Sequence, residues 1–259
     1  MGKNKLRKFA EMENLSMVFQ YPYGVLRDKG FAMRGHWHEE FFGNGNPITV
    51  ELGCGKGEYA VGLARRFPER NFIGIDIKGA RMWTGAKSAA AEGLRNVAFV
   101  RTSIELLEHF FAPGEVAEIW ITFPDPQMKK ATKRLTGTRM VELYRRVLAP
   151  GAMVHLKTDS PFLYAYTEMM CRHNGLAIRC ADADIDAGAR AADPVLAIRT
   201  HYESQWLDRG LTIRYLAFGA DGKESLSEPP GAEELDRDTY RSYSRGYIQM
   251  PGLMNQNND

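Results

Sequence analysis

Short apolar runs rich in β-branched and aromatic residues recur along the chain, at Ile48 to Leu52, Phe72 to Ile77, Val97 to Val100, Glu118 to Phe123 and Met153 to Leu156. Each ends near Gly, Asp or Pro, the mark of a strand that stops at a turn. Between them, Tyr59 to Phe67, Ala80 to Glu92, Ile104 to Phe111 and Arg139 to Leu148 carry helical spacing. Strand alternating with helix predicts a parallel sheet covered on both faces and joined by right-handed crossovers. Beyond it, Pro161 to Arg172 predicts a helix, Ala177 to Cys180 a strand, 182–194 a loop, His201 to Asp208 a helix and Leu211 to Phe218 a final strand. The short Asp208-Arg209-Gly210 turn lets that last strand run antiparallel. The expectation is an α/β fold with a mostly parallel seven-stranded sheet and an antiparallel last strand. Residues 1–47 read as an extended, partly ordered arm, 48–220 as the domain, and 221–259 as an acidic tail.

Composition narrows the class. With 44% hydrophobic and 25% charged residues over 259 positions, the chain can bury one large core without a staple. Cys54, Cys171 and Cys180 are odd in number and lack C-x-x-C pairing, so neither a disulfide framework nor a zinc site is indicated, and a reducing cytoplasm is expected. The chain has no apolar run long enough to span a membrane, and its start lacks the apolar core of a signal peptide. A net charge of +2 is too small to demand a polyanionic partner, so position matters more than sum. Lys3, Lys5, Arg7 and Lys8 make the arm basic, while Glu224, Glu228, Glu233, Glu234, Asp236 and Asp238 make the tail acidic. On charge alone both read as solvated ends.

The first strand ends in Glu51-Leu52-Gly53-Cys54-Gly55-Lys56-Gly57 and passes at once into a helical pattern. Gly53, Gly55 and Gly57 let the backbone turn sharply and approach a ligand at the carboxyl edge of the sheet, a Rossmann-like arrangement. A dinucleotide fingerprint would need glycine at Glu58. Glu51 would repel a pyrophosphate but suit a cation, which favours S-adenosylmethionine over a nicotinamide dinucleotide. Asp76, ending the next strand, can accept from both ribose hydroxyls. Thr102 and Ser103, after the third strand, are candidates to meet the adenine. Without a ligand the turn is simply a tight strand-to-helix connection, and Cys54 is a small turn residue with no neighbouring histidine to activate it.

The fourth strand runs into Phe123-Pro124-Asp125-Pro126-Gln127-Met128-Lys129-Lys130. The two prolines restrict the backbone around Asp125, and the strand delivers its carboxylate to the edge where a methyl donor would lie. From Lys129 to Arg146, Lys129, Lys130, Lys133, Arg134, Arg139, Arg145 and Arg146 face one acid, Glu142. This is the basic footprint that overall composition lacks.

Together, Glu51 to Gly57, Phe123-Pro124-Asp125-Pro126 with its basic run, Leu156-Lys157-Thr158-Asp159, and Thr200-His201-Tyr202-Glu203 resemble the bacterial tRNA (guanine-N7)-methyltransferases over roughly residues 20–218. The resemblance implies a class I S-adenosylmethionine-dependent methyltransferase that methylates N7 of a guanine in the tRNA variable loop; no metal is expected, and the sequence leaves monomer and homodimer open. It implies that Glu51, Asp76, Thr102, Ser103 and Asp125 contact the cofactor, with Asp125 catalytic. Lys129, Asp159, Thr200, His201, Tyr202 and Glu203 would hold the substrate, and Glu203 would select guanine through N1–H and the exocyclic amine. The family commonly has Trp after the second proline and Arg-His further on, where this chain has Gln127 and Ala131-Thr132. Thr200 and Glu203 also fit a helix capping box. His36-Trp37-His38-Glu39 reads as packing rather than a metal pair, with Trp37, Phe41 and Phe42 laid on the sheet. Competing functions are a methyltransferase for another RNA or a small molecule, and a catalytically silent RNA-binding protein.

Overall fold

The computed structural model describes residues 3–21, 23–187 and 190–240. Among them, the strands are β1 (Val18–Gln20), β2 (Ile48–Leu52), β3 (Asn71–Asp76), β4 (Val97–Arg101), β5 (Val116–Thr122), β6 (Leu148–Thr158), β7 (Ile178–Asp182) and β8 (Arg214–Gly219). They form one sheet in the order β1-β4-β3-β2-β5-β6-β8-β7. Pairing is parallel from β1 through β6, and β8 runs antiparallel to both β6 and β7. From β2 the chain steps outward through β3 and β4, then returns to β5 on the other side of β2. That reversal opens a crevice at the carboxyl ends of β2 and β5, the usual ligand position in open α/β sheets.

β2 is buried along its whole length, as is β3 up to Asp76, because both faces of the sheet are covered. Period-2 alternation sends Ile73, Ile75, Ala98 and Val100 to one core, and Phe72, Val97 and Phe99 to the other. The second core packs under α3 (Glu58–Arg66) and α4 (Gly79–Ala91). The first lies under α5 (Thr138–Arg145) and α6 (Pro161–Asn174), and α7 (His201–Leu207) precedes β8.

The arm differs from its expected extended form. It folds as α1 (Lys3–Glu13), β1, α2 (Tyr23–Lys29) and a π-helical turn over Trp37–Phe42. Trp37 is fully buried, its Nε1 donates to the Phe110 carbonyl at 2.9 Å, and its ring stacks on Phe111. Helix α1 rests on α4, where Glu11 accepts from Trp83 Nε1 at 2.8 Å. The arm thereby adds β1 as an eighth strand, too short to leave a period in the sequence.

The acidic tail is also corrected in its described part. Leu226 and Ala232 enter the core, and Glu228 accepts from Thr138 Oγ1 at 2.7 Å and Tyr166 OH at 2.8 Å. Asp238 accepts from Ser160 Oγ and from the Phe162 amide at the start of α6. Residues 241–259 of the expected tail lie outside the described residues. Among the described residues, no helix is long and apolar enough to cross a membrane.

Candidate active site

The glycine turn is built as its spacing implies. Gly53, Gly55 and Gly57 have φ of 76°, 55° and 71°, the left-handed region that glycine enters without a Cβ clash. At Gly57 a Cβ would also lie 2.6 Å from the Phe99 ring. The amides of Gly53 and Cys54 both donate to the Ile75 carbonyl, which stitches the turn to β3. Gly55 N–H then donates to Asp76 Oδ2 at 2.9 Å, and Lys78 N–H to Oδ1 at 2.7 Å. Two backbone donors thus fix Asp76, and a carboxylate with about four lone-pair sites can still accept from a pair of hydroxyls.

Glu51, near the end of β2, is 2% exposed. Its Oε1 accepts from Thr122 Oγ1 at 2.7 Å and its Oε2 from the Ala60 amide at 3.0 Å. Burial raises its pKa to about 7, with Thr122 and Ala60 opposing. Thr122 was missed in the sequence. Its signal lies in register: Leu52 pairs with Ile121, which sets the next residue of β5 beside the turn.

A cavity of about 650 Å³ opens here, lined by Glu51, Gly53, Gly55, Asp76, Asp125 and Tyr202 among others. Gly53 and Asp76 also border an adjoining cavity of about 370 Å³ that takes in Thr102, Ser103 and Ile104. Thr102 Oγ1 is buried there without a protein partner, an arrangement that calls for a ligand or water. A buried acid able to meet an ammonium group, an acid held for ribose hydroxyls and an orphaned hydroxyl beyond it fit S-adenosylmethionine.

Asp125 is exposed into the larger cavity on a strained loop. Phe123 and Gln127 on either side both have φ of 49°, which costs a non-glycine residue about 1–3 kcal/mol. Asp125 Oδ1 accepts from the Gln127 amide at 3.3 Å and Oδ2 from Gln127 Nε2 at 3.1 Å. Arg134 holds the far side of the loop. Its guanidinium donates to the carbonyls of Met128 at 3.0 Å and Gln127 at 3.3 Å, and lies over the rings of Tyr166 and Phe162.

The basic footprint is therefore smaller than the sequence suggests. Arg134 is 5% exposed and Arg145 is tied to the carbonyls of Ala220 and Lys223. Arg139 and Arg146 pair with Glu105 and Glu108. Lys129, Lys130 and Lys133 remain exposed. Lys133 borders both cofactor-side cavities, whereas Lys129 lines a separate one of about 350 Å³ with Arg134, Phe162 and Arg237.

The remaining candidates divide. Thr200, Tyr202 and Trp206 line the large cavity, and His201 is exposed with its amide donating to Glu58 Oε2 at 2.8 Å. Glu203 faces the interior. It completes a capping box with Thr200 at the start of α7, and its carboxylate meets Lys157 Nζ and Arg199. Lys157 also donates to the carbonyls of Leu196 and Ile198, and burial lowers its pKa to about 8 against the pull of Glu203. A carboxylate so occupied is not placed to select a base. Asp159 is 1% exposed, outside the cavity lining, and accepts from Tyr240 OH at 2.7 Å. Glu203 instead braces the start of α7, and Asp159 holds the Tyr240 hydroxyl.

Residues 45–216 match the family described as "Putative methyltransferase". A tRNA (guanine-N(7)-)-methyltransferase of Porphyromonas gingivalis is 58% identical over 236 residues, covering 90% of this chain and 96% of its own. One from Bacteroides fragilis is 54% identical over 245 residues, covering 95% and 96%. Among solved structures, an antibiotic-related methyltransferase superposes with a TM-score of 0.53 at 18% identity, covering 70% of this chain and 90% of that one. The 16S rRNA methyltransferase KamB gives 0.52 at 15%, covering 70% and 91%. At such identities the likeness is one of fold.

Proposed function

The chain belongs to the tRNA (guanine-N(7)-)-methyltransferase family, and from that premise we propose that it transfers a methyl group from S-adenosylmethionine to N7 of a guanine in tRNA. The observation that carries this reading is the joining of Glu51, Asp76 and Asp125 around one cavity at the sheet's crossover point. S-adenosylmethionine supplies an electrophilic methyl group on a sulfonium.

Glu51, ionised by the nearby positive charge, holds the amino end of the cofactor. Asp76, already oriented by two amides, accepts from the ribose hydroxyls, and Thr102 and Ser103 lie toward the adenine. Guanine N7 has a lone pair and no proton to lose, so the reaction asks the protein for alignment more than for base catalysis. Asp125 orients the purine and stabilises the positive charge that develops on it. The bracketing strain at Phe123 and Gln127 keeps its carboxylate directed into the cavity. Thr200, His201 and Tyr202 form the opposite wall and rim, with Glu203 anchoring them from behind. Lys129, Lys130 and Lys133 meet RNA phosphates in the cytoplasm, where the tRNA is found. Residues 48–220 carry the chemistry.

By resemblance the target is a guanine in the variable loop. Incubation with unmodified tRNA and labelled S-adenosylmethionine, followed by nucleoside mass spectrometry and mapping, tests the reading. The expected product is 7-methylguanosine at one variable-loop position. Label in a different nucleoside, or none, would overturn it.

A further inference from the structure

The large cavity is flanked from both faces of the sheet. The Asp125 loop leads into α5 on one face, and the glycine turn leads into α3 on the other, where α4 packs beside it. Lys133 borders the cavity from the first side, and Lys56, Lys78 and Arg81 from the second. A further cavity of about 640 Å³ runs along α3 and α4. It shares Lys56 and Glu58 with the large one, so the two adjoin across the glycine turn. Gly85 lines it, and a Cβ there would lie 2.6 Å from the Lys56 carbonyl oxygen, so α4 approaches the turn at a distance only glycine permits. Arg66 stands at the other end of α3. That helix is nine residues long, which at 1.5 Å per residue separates Lys56 from Arg66 by about 13 Å.

The charges along this depression fall into two groups. Arg65 is neutralised by Glu92, and Arg199 by Asp186 and Glu203, so both brace the walls. Lys56, Lys78, Arg66 and Arg81 make no ion pair among the described residues, and the last three are exposed. Arg66 donates to the Pro194 carbonyl, which steadies the side chain and leaves its charge uncompensated. The Arg81 guanidinium lies 5.6 Å from the centre of the Tyr202 ring, at the rim of the large cavity. Glu58, the acid of the shared lining, accepts from the His201 amide at 2.8 Å. A line of unneutralised cations therefore leaves the cavity on the face opposite the Lys129 to Lys133 run.

We propose that the depression along α3 and α4 holds the phosphate backbone of the tRNA on one flank of the target guanine, while Lys133 and its neighbours hold it on the other. A nucleotide turned into a cavity keeps its chain on both sides, so phosphates must leave the cavity in two directions. Cations without a protein counter-charge replace the counterions of those phosphates. Arg81 meets the backbone at the rim, and Arg66 meets it at the far end of α3. Contacts of this kind fix register and carry no base identity, so they govern how tightly the tRNA is held and not which nucleoside is methylated.

This inference rests on the guanine reading above, and binding of unmodified tRNA by the full chain across a salt series tests it. Arg66→Ala and Arg81→Ala should each flatten the log–log salt slope by about 0.7–0.9, and the double variant by about twice that. Arg66→Lys keeps the charge and should keep the slope. Lys29→Ala, which removes an exposed lysine of α2 that lines neither cavity, should keep it too. Affinity of Arg66→Ala for S-adenosylmethionine should equal that of the wild type. Ethylation of tRNA phosphates should interfere with wild-type binding on both flanks of the methylated guanine, and on one flank only with the double variant. Wild-type slopes in both alanine variants, an Arg66→Lys loss as large as that of Arg66→Ala, or two-flank interference in the double variant would each refute the proposal. If the wild-type protein makes no 7-methylguanosine, the underlying reading fails and this inference falls with it. If the wild type does and the slopes do not move, only the path along α3 and α4 is wrong.

Discussion

Lys157 Nζ lies 2.7 Å from Glu203 Oε1, and neither side chain has any exposure to solvent. The pair joins the end of β6 to the first turn of α7, so it sets the depth at which Thr200 and Tyr202 enter the cavity. Removing one partner strands the other charge in a low-dielectric interior, which typically costs about 3–5 kcal/mol. Lys157→Met should lower stability by that order in urea denaturation, and Glu203→Gln by somewhat less. The double variant Lys157→Met/Glu203→Leu should regain part of the loss. If Glu203→Gln instead kept full stability and accepted adenine, the assignment of Glu203 as an internal brace would be wrong.

Glu51 couples the cofactor site to pH. Its ordinary carboxyl value of 4.5 is raised to about 7 by burial, so the folded protein retains a proton that the unfolded chain loses between those values. The stability this group contributes is full below 4.5 and is lost as pH rises through about 7. A cationic cofactor favours the ionised form and reverses that loss. Calorimetry should therefore show S-adenosylmethionine binding more tightly from roughly pH 6 to pH 7.5, with proton release, relative to a flatter profile in Glu51→Gln. Parallel profiles in the two proteins would remove Glu51 from the linkage.

Asp125 should separate binding from turnover. On the proposed role, in which Asp125 stabilises charge that develops on the purine in the transition state, Asp125→Ala should lower kcat by about 10²–10³-fold. Cofactor affinity, which the proposed function assigns to Glu51 and Asp76, should change little. Single-turnover rates and equilibrium dialysis on the same variant check both halves. A variant with intact kcat would leave Asp125 with no role in the chemistry.

Arg134 and the exposed lysines should behave differently although all are basic. Arg134→Ala removes a guanidinium that holds the Met128 and Gln127 carbonyls, so it should lower thermal stability and kcat together. The dependence of tRNA affinity on salt should stay as in the wild type. Lys129→Ala, Lys130→Ala and Lys133→Ala should each reduce the log–log salt slope by about 0.7–0.9 per lost phosphate contact, with stability unchanged. Filter binding across a salt series distinguishes the two groups.

The sheet was legible because its strands are short, apolar and punctuated. The run Ile48 to Leu52 is a strand over those same residues, and Asp208 to Gly210 does introduce the antiparallel β8. The meeting of Glu51, the glycine turn and Asp76 at one cavity was legible for a related reason: they lie on consecutive strand ends, which topology must bring together. The far wall was harder. Whether Glu203 points at a base or at Lys157 depends on how deeply α7 sinks, and no local period reports that depth. Arg134 carries the same charge as its neighbours, and only the rings of Phe162 and Tyr166, brought over from α6, make it a clamp. Asp238 and Tyr240 looked like part of a solvated acidic end because their partners sit some eighty residues away in sequence.

The three residues of β1 have a consequence apart from catalysis. They pair with Phe99, Val100 and Arg101 of a strand that is almost wholly buried. Without them that strand's outer row of amides and carbonyls would stand open, a ready template for pairing with another chain. The arm thus guards the sheet against self-association, and its loss would be felt in solubility at high concentration before it was felt in the rate of methyl transfer.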